Sequence, residues 1–326
     1  MKALVKYKKP KEWKIENKEV PSAKDGEIKI QVKYAGICGS DIHIFKEVFD
    51  IQEGLTPGHE FSGIIVEIGA GIKGFNIGDR VTAEHTFCVC EICEECRNGK
   101  YQLCKKRTSI GFEVDGSFAE YVIVSGKYVH KLPEGVSLAE GAMTEPLACA
   151  LHGVELVKPE AGKNVLVIGP GPIGIFTALC FKAYNCVVHI TGTRQDNKRL
   201  EKAQEMGITV IEEPKNNYYD IVADCSGNEN GINQGLLSIK PGGRFLQVGI
   251  PGKSINVEYD QLIFKEISFQ GTFCHNYPTW ERALQMEALG IIDLKPLISE
   301  VVPLEDWKKA FDDLINQEAM KILFKF

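Results

Sequence analysis

Between Glu27 and Tyr34 the chain reads EIKIQVKY, with Ile28, Ile30 and Val32 on one side and Lys29, Gln31 and Lys33 on the other. That period of two predicts a strand with one buried face. The runs FSGIIVEIGAG from Phe61 and GDRVTAEH from Gly78 continue the texture, broken by glycine-rich turns. The first half is therefore expected to be an all-β or barrel-like unit. Near residue 146 the pattern changes. A helical stretch, Glu145–Leu156, leads into expected strands at Asn164–Ile168, Val187–Thr191, Ile221–Cys225, Gly243–Val248 and Ser268–Phe273. Helical periodicity falls between them, over Ile173–Tyr184, Asn197–Met206 and Ile232–Ile239. Strand and helix in alternation predict a doubly wound parallel sheet, so the fold class is α/β. Thr279–Leu289 and Leu304–Gln317 read as amphipathic helices, and the final KILFKF as a returning strand.

Composition narrows this picture. With 326 residues, 44% hydrophobic and 25% charged, the chain fits about two globular domains. A net charge of −6 gives no basic footprint for nucleic acid. The opening MKALVKYKKPKEWKI lacks the apolar core of a secretory signal. The long apolar stretch Val165–Phe181 is interrupted by glycines and prolines at 169–174, which suits strand, turn and helix better than a membrane span. The expectation is a cytoplasmic protein without a membrane or nucleic-acid partner.

Eleven cysteines are many for such a chain, and five of them lie between Cys88 and Cys104. A disulfide scaffold would be shorter and secreted, so clustering favours metal. The spacing Cys90-x2-Cys93-x2-Cys96-x7-Cys104 suits four thiolates closing a tetrahedral zinc shell with no open position. The competing reading is buried or reactive thiols without metal. Cys88 is a fifth thiol with no assigned role.

Gly169-Pro-Gly171-Pro172-Ile173-Gly174 follows a predicted strand and opens a predicted helix, which is the context a dinucleotide-binding G-x-G-x-x-G requires. The first glycine permits the tight turn, the second lets backbone approach pyrophosphate, and the third lets helix pack on strand. The helix N-terminus favours the negative charge. An acid usually ends the second strand of an NAD site. Here the strand ends in Gly192, Thr193 and Arg194, with Lys198 and Arg199 following and Asp196 several residues late. Hydroxyl and guanidinium groups suit a 2′-phosphate, so NADP is expected over NAD. The alternative is that Lys198 and Arg199 lie on a solvated helix face, with Arg199 stacking on adenine. Cys225, Gly249, Ile250, Thr272 and Phe273 fall at the carboxyl ends of later strands, where ligands of such sheets bind. Core packing is the competing reading for Ile250 and Phe273.

Upstream stand Gly36-Ile-Cys38-Gly-Ser40-Asp-Ile-His43 and Gly58-His59-Glu60-Phe-Ser-Gly63. These motifs, the cysteine quartet and GPGPIG, in this order, resemble the zinc-containing medium-chain dehydrogenase/reductase family over essentially the whole chain. The likeness is to its sorbitol (polyol) and threonine dehydrogenase branch. The resemblance implies a GroES-like β-rich catalytic zinc-binding domain, placed at 1–147 and 285–326, and a Rossmann domain at 148–284. It implies two zinc ions per chain, one structural and one catalytic. Cys38 and His59 would be two catalytic ligands. Liver-type members take a cysteine as the third; here Thr144-Glu145-Pro146-Leu147-Ala148 puts Glu145 there, with Glu60 an alternative or exchanging ligand and Cys149 a rival. Ser40 and His43 match the family's proton-relay positions. His85, His130, His152, His189 and His275 lack comparable context and are read as non-catalytic.

The implied reaction is hydride transfer between a secondary alcohol, polyol or sugar-derived, and NAD(P). A threonine-type amino alcohol is the nearest alternative substrate. A zinc-free quinone or enone reductase would lack the cysteine quartet, and a non-catalytic nucleotide-binding relative would be expected to lose Cys38, Ser40 or His59. Ile44–Thr56, with Phe45 and Phe49, is expected near the substrate, and Asn276, Tyr277 and Trp280 follow the last strand. Family members are often homodimers or homotetramers joined at the sheet edge, which points to residues 267–275.

Overall fold

The alternating run beginning at Glu27 forms a ten-residue strand, Glu27–Gly36, with Ile28, Ile30 and Val32 fully buried. It is the hub of a seven-stranded sheet. On one side lie Glu60–Ile68, Arg80–Ala83 and Val129–Lys131; on the other lie Lys321–Lys325 and Ile298–Pro303, while Tyr121–Ser125 also pairs with the hub. The C-terminal strand does return, antiparallel, with Leu323 opposite Gly36 and Phe324 opposite Ala35. The computed structural model describes residues 1–7 and 12–326. They divide into two compact units: Met1–Glu145 with Asn276–Phe326, and Pro146–His275.

The core of the first unit is aromatic at its centre. Trp13 meets Phe45 edge-on at 5.6 Å and Phe311 at 5.1 Å, and Phe118 meets Phe324 edge-on at 5.1 Å. Such side chains bury the largest apolar areas and gain further from edge-to-face packing. Phe311 and Trp307 come from the helix Trp307–Ile315, so the chain's last segment completes the core of its first.

The second unit is a six-stranded parallel sheet in the spatial order Thr209–Val210, Val187–Thr191, Asn164–Ile168, Tyr219–Asp224, Ile239–Gln247, Ser268–Gly271. That is the 3-2-1-4-5-6 order of a doubly wound nucleotide-binding sheet, with its switch point between Asn164–Ile168 and Tyr219–Asp224. Helices Pro172–Ala183, Asn197–Glu205 and Glu229–Ser238 make the crossovers. The expected strand Gly243–Val248 begins earlier, at Ile239, and the last one ends at Gly271, before Thr272 and Phe273.

The second division lies at 275/276, ahead of the 284/285 expected from sequence. Tyr277–Ala288 is one helix, started by Asn276, whose Oδ1 accepts from the Thr279 amide at 3.1 Å. Its Trp280 stacks on His130 of the same unit at 5.3 Å, so the whole helix packs with the β-rich unit. Among the described residues, no helix is long and apolar enough to cross a membrane.

Candidate metal centres and cofactor cradle

Cys90, Cys93, Cys96 and Cys104 project their sulfurs into one cluster, all within 4.8 Å of one another. Cys90 Sγ lies 3.6 Å from Cys104 Sγ and 4.0 Å from Cys96 Sγ. Four thiolates about 2.3 Å from a tetrahedral zinc would stand about 3.8 Å apart. The backbone supplies the complementary donors: the amides of Cys93, Cys96, Cys90 and Lys106 point at Cys90, Cys93 and Cys104 sulfurs at 3.4 to 3.5 Å. The amides of Cys93 and Ile92 bring the Cys90 thiol down to about 6. The donor set and its spacing fit zinc. Cys88 is exposed and stands outside the cluster.

A second donor group joins Cys38 Sγ, a ring nitrogen of His59 and a carboxylate oxygen of Glu60, again within 4.8 Å of one another. Cys38 is the N-cap of the short helix Gly39–Phe45, and Glu60 opens the strand Glu60–Ile68 with His59 immediately before it. Asp41 anchors this corner. Its Oδ2 accepts from the Cys38 amide at 2.9 Å, while Oδ1 faces His59 Nδ1 at 3.8 Å. Burial alone would lower the His59 pKa, but the Asp41 carboxylate and the Cys38 sulfur outweigh it and raise it to about 10. Burial pushes Asp41 up to about 6. A buried pocket this rich in negative donors, with Glu60 Oε1 lacking any hydrogen-bond partner, fits a divalent cation.

Glu60 has a counter-ion that sequence reasoning missed. Lys321, on the returning C-terminal strand, forms an ion pair with Glu60 Oε2 and donates to the Ile37 carbonyl at 3.0 Å. Both side chains are almost wholly buried, at 3% and 1% exposure. Burial would lower the lysine's pKa, yet Glu60 and Cys38 hold it above its usual value. The pair explains Gly36: a Cβ there would overlap Glu60 Oε2 and crowd the Lys321 side chain.

Glu145 is buried, and its Oε1 lies 3.2 Å from His85 Nδ1. It acts electrostatically on both His59 and Lys321. Its immediate partner is thus His85, one of the histidines that sequence context passed over. His85 in turn lies 5.6 Å from the His59 ring, and Phe112 packs 5.0 Å from that ring. Ser40 Oγ stands 3.3 Å from His59 Nε2. His43 is exposed on the surface with its ring tilted against Phe49 at 5.1 Å, and partial desolvation with the Lys46 charge lowers its pKa. Asp41 had a local signal inside GICGSDIH; Lys321, His85 and Phe112 had none, because they meet the site only through sheet pairing and packing.

In the second unit, Gly169 has φ of 97° and sits against Ser226, and a Cβ on Gly174 would overlap the Gly169 carbonyl. Both positions therefore require glycine. Gly171 is the N-cap of the helix Pro172–Ala183, with Pro172 at its first position, so the free amides of that helix end open at the switch point. Buried Asp224 ties the neighbouring strand ends together. It accepts from the Ser226 hydroxyl at 2.6 Å, the Gly227 amide at 2.9 Å and the Gln247 side chain at 2.6 Å. Cys225 turns inward, 3.6 Å from the Thr177 hydroxyl, and burial pushes its thiol up to about 12. Its backbone remains at the strand end; its sulfur packs beneath the helix. Ile250 and Phe273 are exposed, at 65% and 47%. At the end of the second strand Asp196 folds back, accepting from the Thr193 amide and hydroxyl at 2.9 and 2.8 Å. Arg199 Nη1 lies 3.9 Å from the same carboxylate. Arg194 and Lys198 are exposed nearby.

Residues 24–134 match the family model of the alcohol dehydrogenase GroES-like domain, and residues 172–288 that of zinc-binding dehydrogenases. The chain is 38% identical to a sorbitol dehydrogenase of Halalkalibacterium halodurans, covering 99% of this chain and 98% of that one. It is 36% identical to a D-arabitol-phosphate dehydrogenase of Enterococcus avium, covering 94% and 92%. A structure of a zinc-binding dehydrogenase from Sinorhizobium meliloti, bound to NADP, superposes with a TM-score of 0.92 at 28% identity, over 100% of this chain and 99% of that one. Donor clusters, sheet order and these likenesses agree: the chain belongs to the zinc-containing medium-chain dehydrogenase/reductase family, in its polyol dehydrogenase branch, and is a nicotinamide-dependent alcohol oxidoreductase.

Proposed function

We propose that this protein interconverts a secondary alcohol of the polyol or sugar-derived class and its ketone, with catalytic zinc held by Cys38, His59 and a carboxylate, Glu60 or Glu145. The observation that carries this reading is the convergence of Cys38, His59 and Glu60 donor atoms within 4.8 Å beside the Ser40 hydroxyl. When bound, zinc supplies Lewis-acid polarisation of the substrate oxygen, and the nicotinamide supplies or accepts the hydride. The protein's part is to orient and to move a proton. Ser40 accepts the alcohol proton and relays it towards His43, whose exposure gives the proton an exit. Asp41 faces the Nδ1 side of His59 as a counter-charge at 3.8 Å, while Nε2 lies 3.3 Å from the Ser40 hydroxyl.

The four-cysteine cluster is read as a structural zinc site, giving two zinc ions per chain. Exposed Thr193, Arg194 and Lys198 support NADP. The fold-back of Asp196 onto Thr193 favours a second reading, NAD, because it returns a carboxylate to the end of the second strand. Comparing kcat/KM with the two cofactors decides between them, and a tenfold preference for NAD would discard the NADP reading. Assembly as a homodimer or homotetramer is read from the edge strand Ser268–Gly271, where Phe269 is 47% exposed and Phe264, just before it, 80%. A monomer in light scattering would refute it. The central experiment is a panel of polyols, sugar alcohols, their phosphates and threonine, with metal analysis. Polyol turnover at about two zinc ions per chain is expected. Turnover confined to threonine would move the substrate to amino alcohols, and inactivity on every alcohol would leave a cofactor-binding protein.

A further inference from the structure

The half-buried guanidinium of Arg107 lies 3.1 Å from His85 Nε2 and 3.5 Å from the Thr86 hydroxyl. A guanidinium only donates, so His85 Nε2 must accept, and the ring proton must sit on Nδ1. His85 Nδ1 is the atom that faces Glu145 Oε1, at 3.2 Å. The order Arg107, His85, Glu145 is therefore directional, each member donating to the next. We propose that Arg107 is a positioning residue of the zinc centre: it locks His85 as the Nδ1–H tautomer, which in turn fixes the orientation of the Glu145 carboxylate. This rests on the reading above that Glu145 belongs to that centre.

The placement of Arg107 is built into the fold. Arg107 immediately precedes Thr108–Ser109, which pairs antiparallel with Thr86–Cys88, and the Ile110 amide donates to the His85 carbonyl at 2.7 Å. The Arg107 amide itself donates to the Cys104 carbonyl at 3.1 Å. The four-cysteine lobe thus ends three residues before the guanidinium and hands its rigidity to the ribbon that aims it. With Oε1 facing His85 Nδ1, the carboxylate of Glu145 is given one orientation, which is what a carboxylate in or behind a metal shell needs. Without Arg107, Nε2 loses the donor that keeps a proton off it, and only the Glu145 carboxylate would hold the proton on Nδ1.

Nitrogen-15 NMR of histidine-labelled enzyme tests this, with the His85 signal assigned by His85→Asn. The parent should show His85 neutral and protonated on Nδ1. Arg107→Met should shift it towards the Nε2–H form, and kcat should fall on the order of ten- to a hundredfold, the usual range for a lost outer partner, with KM for the alcohol within about twofold. Arg107→Lys, which keeps a cationic donor nitrogen, should retain much of the Nδ1–H form and lose less kcat. Near-ultraviolet circular dichroism and zinc content check that the variants fold; if Arg107→Met does not, the lysine variant and the parent spectrum carry the test. A parent His85 protonated on Nε2, or an unchanged tautomer in Arg107→Met, overturns the proposal. A normal tautomer shift in a protein inactive on every alcohol would instead refute the dehydrogenase reading and leave the Arg107–His85 linkage standing.

Discussion

Lys321→Met offers the sharpest test of how the Cys38–His59–Glu60 corner is held. The substitution keeps the volume of the side chain and removes its charge. It leaves the Glu60 carboxylate, 1% exposed, without its counter-ion, and the Ile37 carbonyl without its 3.0 Å donor. Stripping one partner from a buried ion pair costs about 3–5 kcal/mol, because an uncompensated charge remains. A typical folded domain has only about 5–15 kcal/mol in total, so the loss should be large. All three tryptophans, Trp13, Trp280 and Trp307, belong to the unit that contains the pair, so tryptophan fluorescence during urea unfolding reports that unit selectively. Zinc-stripped Lys321→Met should lose about 3–5 kcal/mol against zinc-stripped parent. Glu60→Gln/Lys321→Met, which removes both charges, should recover most of it. Added zinc should stabilise the single variant more than the parent, since it replaces the missing positive charge. A loss under about 1 kcal/mol, or a double variant no more stable than the single, would show that the ion pair does not hold this corner.

Other expectations follow from the same geometry. Buried His130 lies 2.5 Å from Glu281 and 3.2 Å from Glu84; burial lowers its pKa, but the two carboxylates outweigh this and leave it raised. Its contribution to stability is therefore complete below about pH 6.5 and lost as pH rises through the raised folded value. The gap in melting temperature between parent and His130→Gln should shrink from pH 6 to pH 9, and a gap that widens would reverse the sign. Cys96→Ser should reduce zinc from about two ions per chain to about one and open residues 90–104 to proteolysis, whereas Cys88→Ser should change neither. Gly174→Ala, whose Cβ would overlap the Gly169 carbonyl, should weaken cofactor binding at least tenfold by fluorescence titration, about 1.4 kcal/mol, while tryptophan fluorescence of the other unit stays unchanged. Binding within twofold of the parent would mean the close packing of that helix is dispensable.

Much of this protein is legible without coordinates wherever the determining residues are close in sequence. The alternation at Glu27–Tyr34 specified a half-buried strand, because side chains on a pleated backbone repeat every two residues. The spacing of Cys90, Cys93, Cys96 and Cys104 specified one sulfur cluster, because two-residue spacers bring successive thiols to one point of a tight turn. GPGPIG specified strand, turn and helix for the same local reason. What sequence could not specify are contacts made by residues far apart along the chain. Lys321 reaches Glu60 only because the last strand pairs beside Glu27–Gly36, and the limit at 275/276 depends on Trp280 stacking against His130. His85 gained significance only when the ribbon Thr86–Cys88 with Thr108–Ser109 set it between Arg107 and Glu145. Asp196 sits several residues too late by sequence count, yet the turn after Val187–Thr191 folds its carboxylate back onto Thr193. Local periodicity and spacing are set by backbone geometry and are written in the chain; charge pairing, tautomer and orientation at the site are set by long-range packing, and only the folded structure decides them.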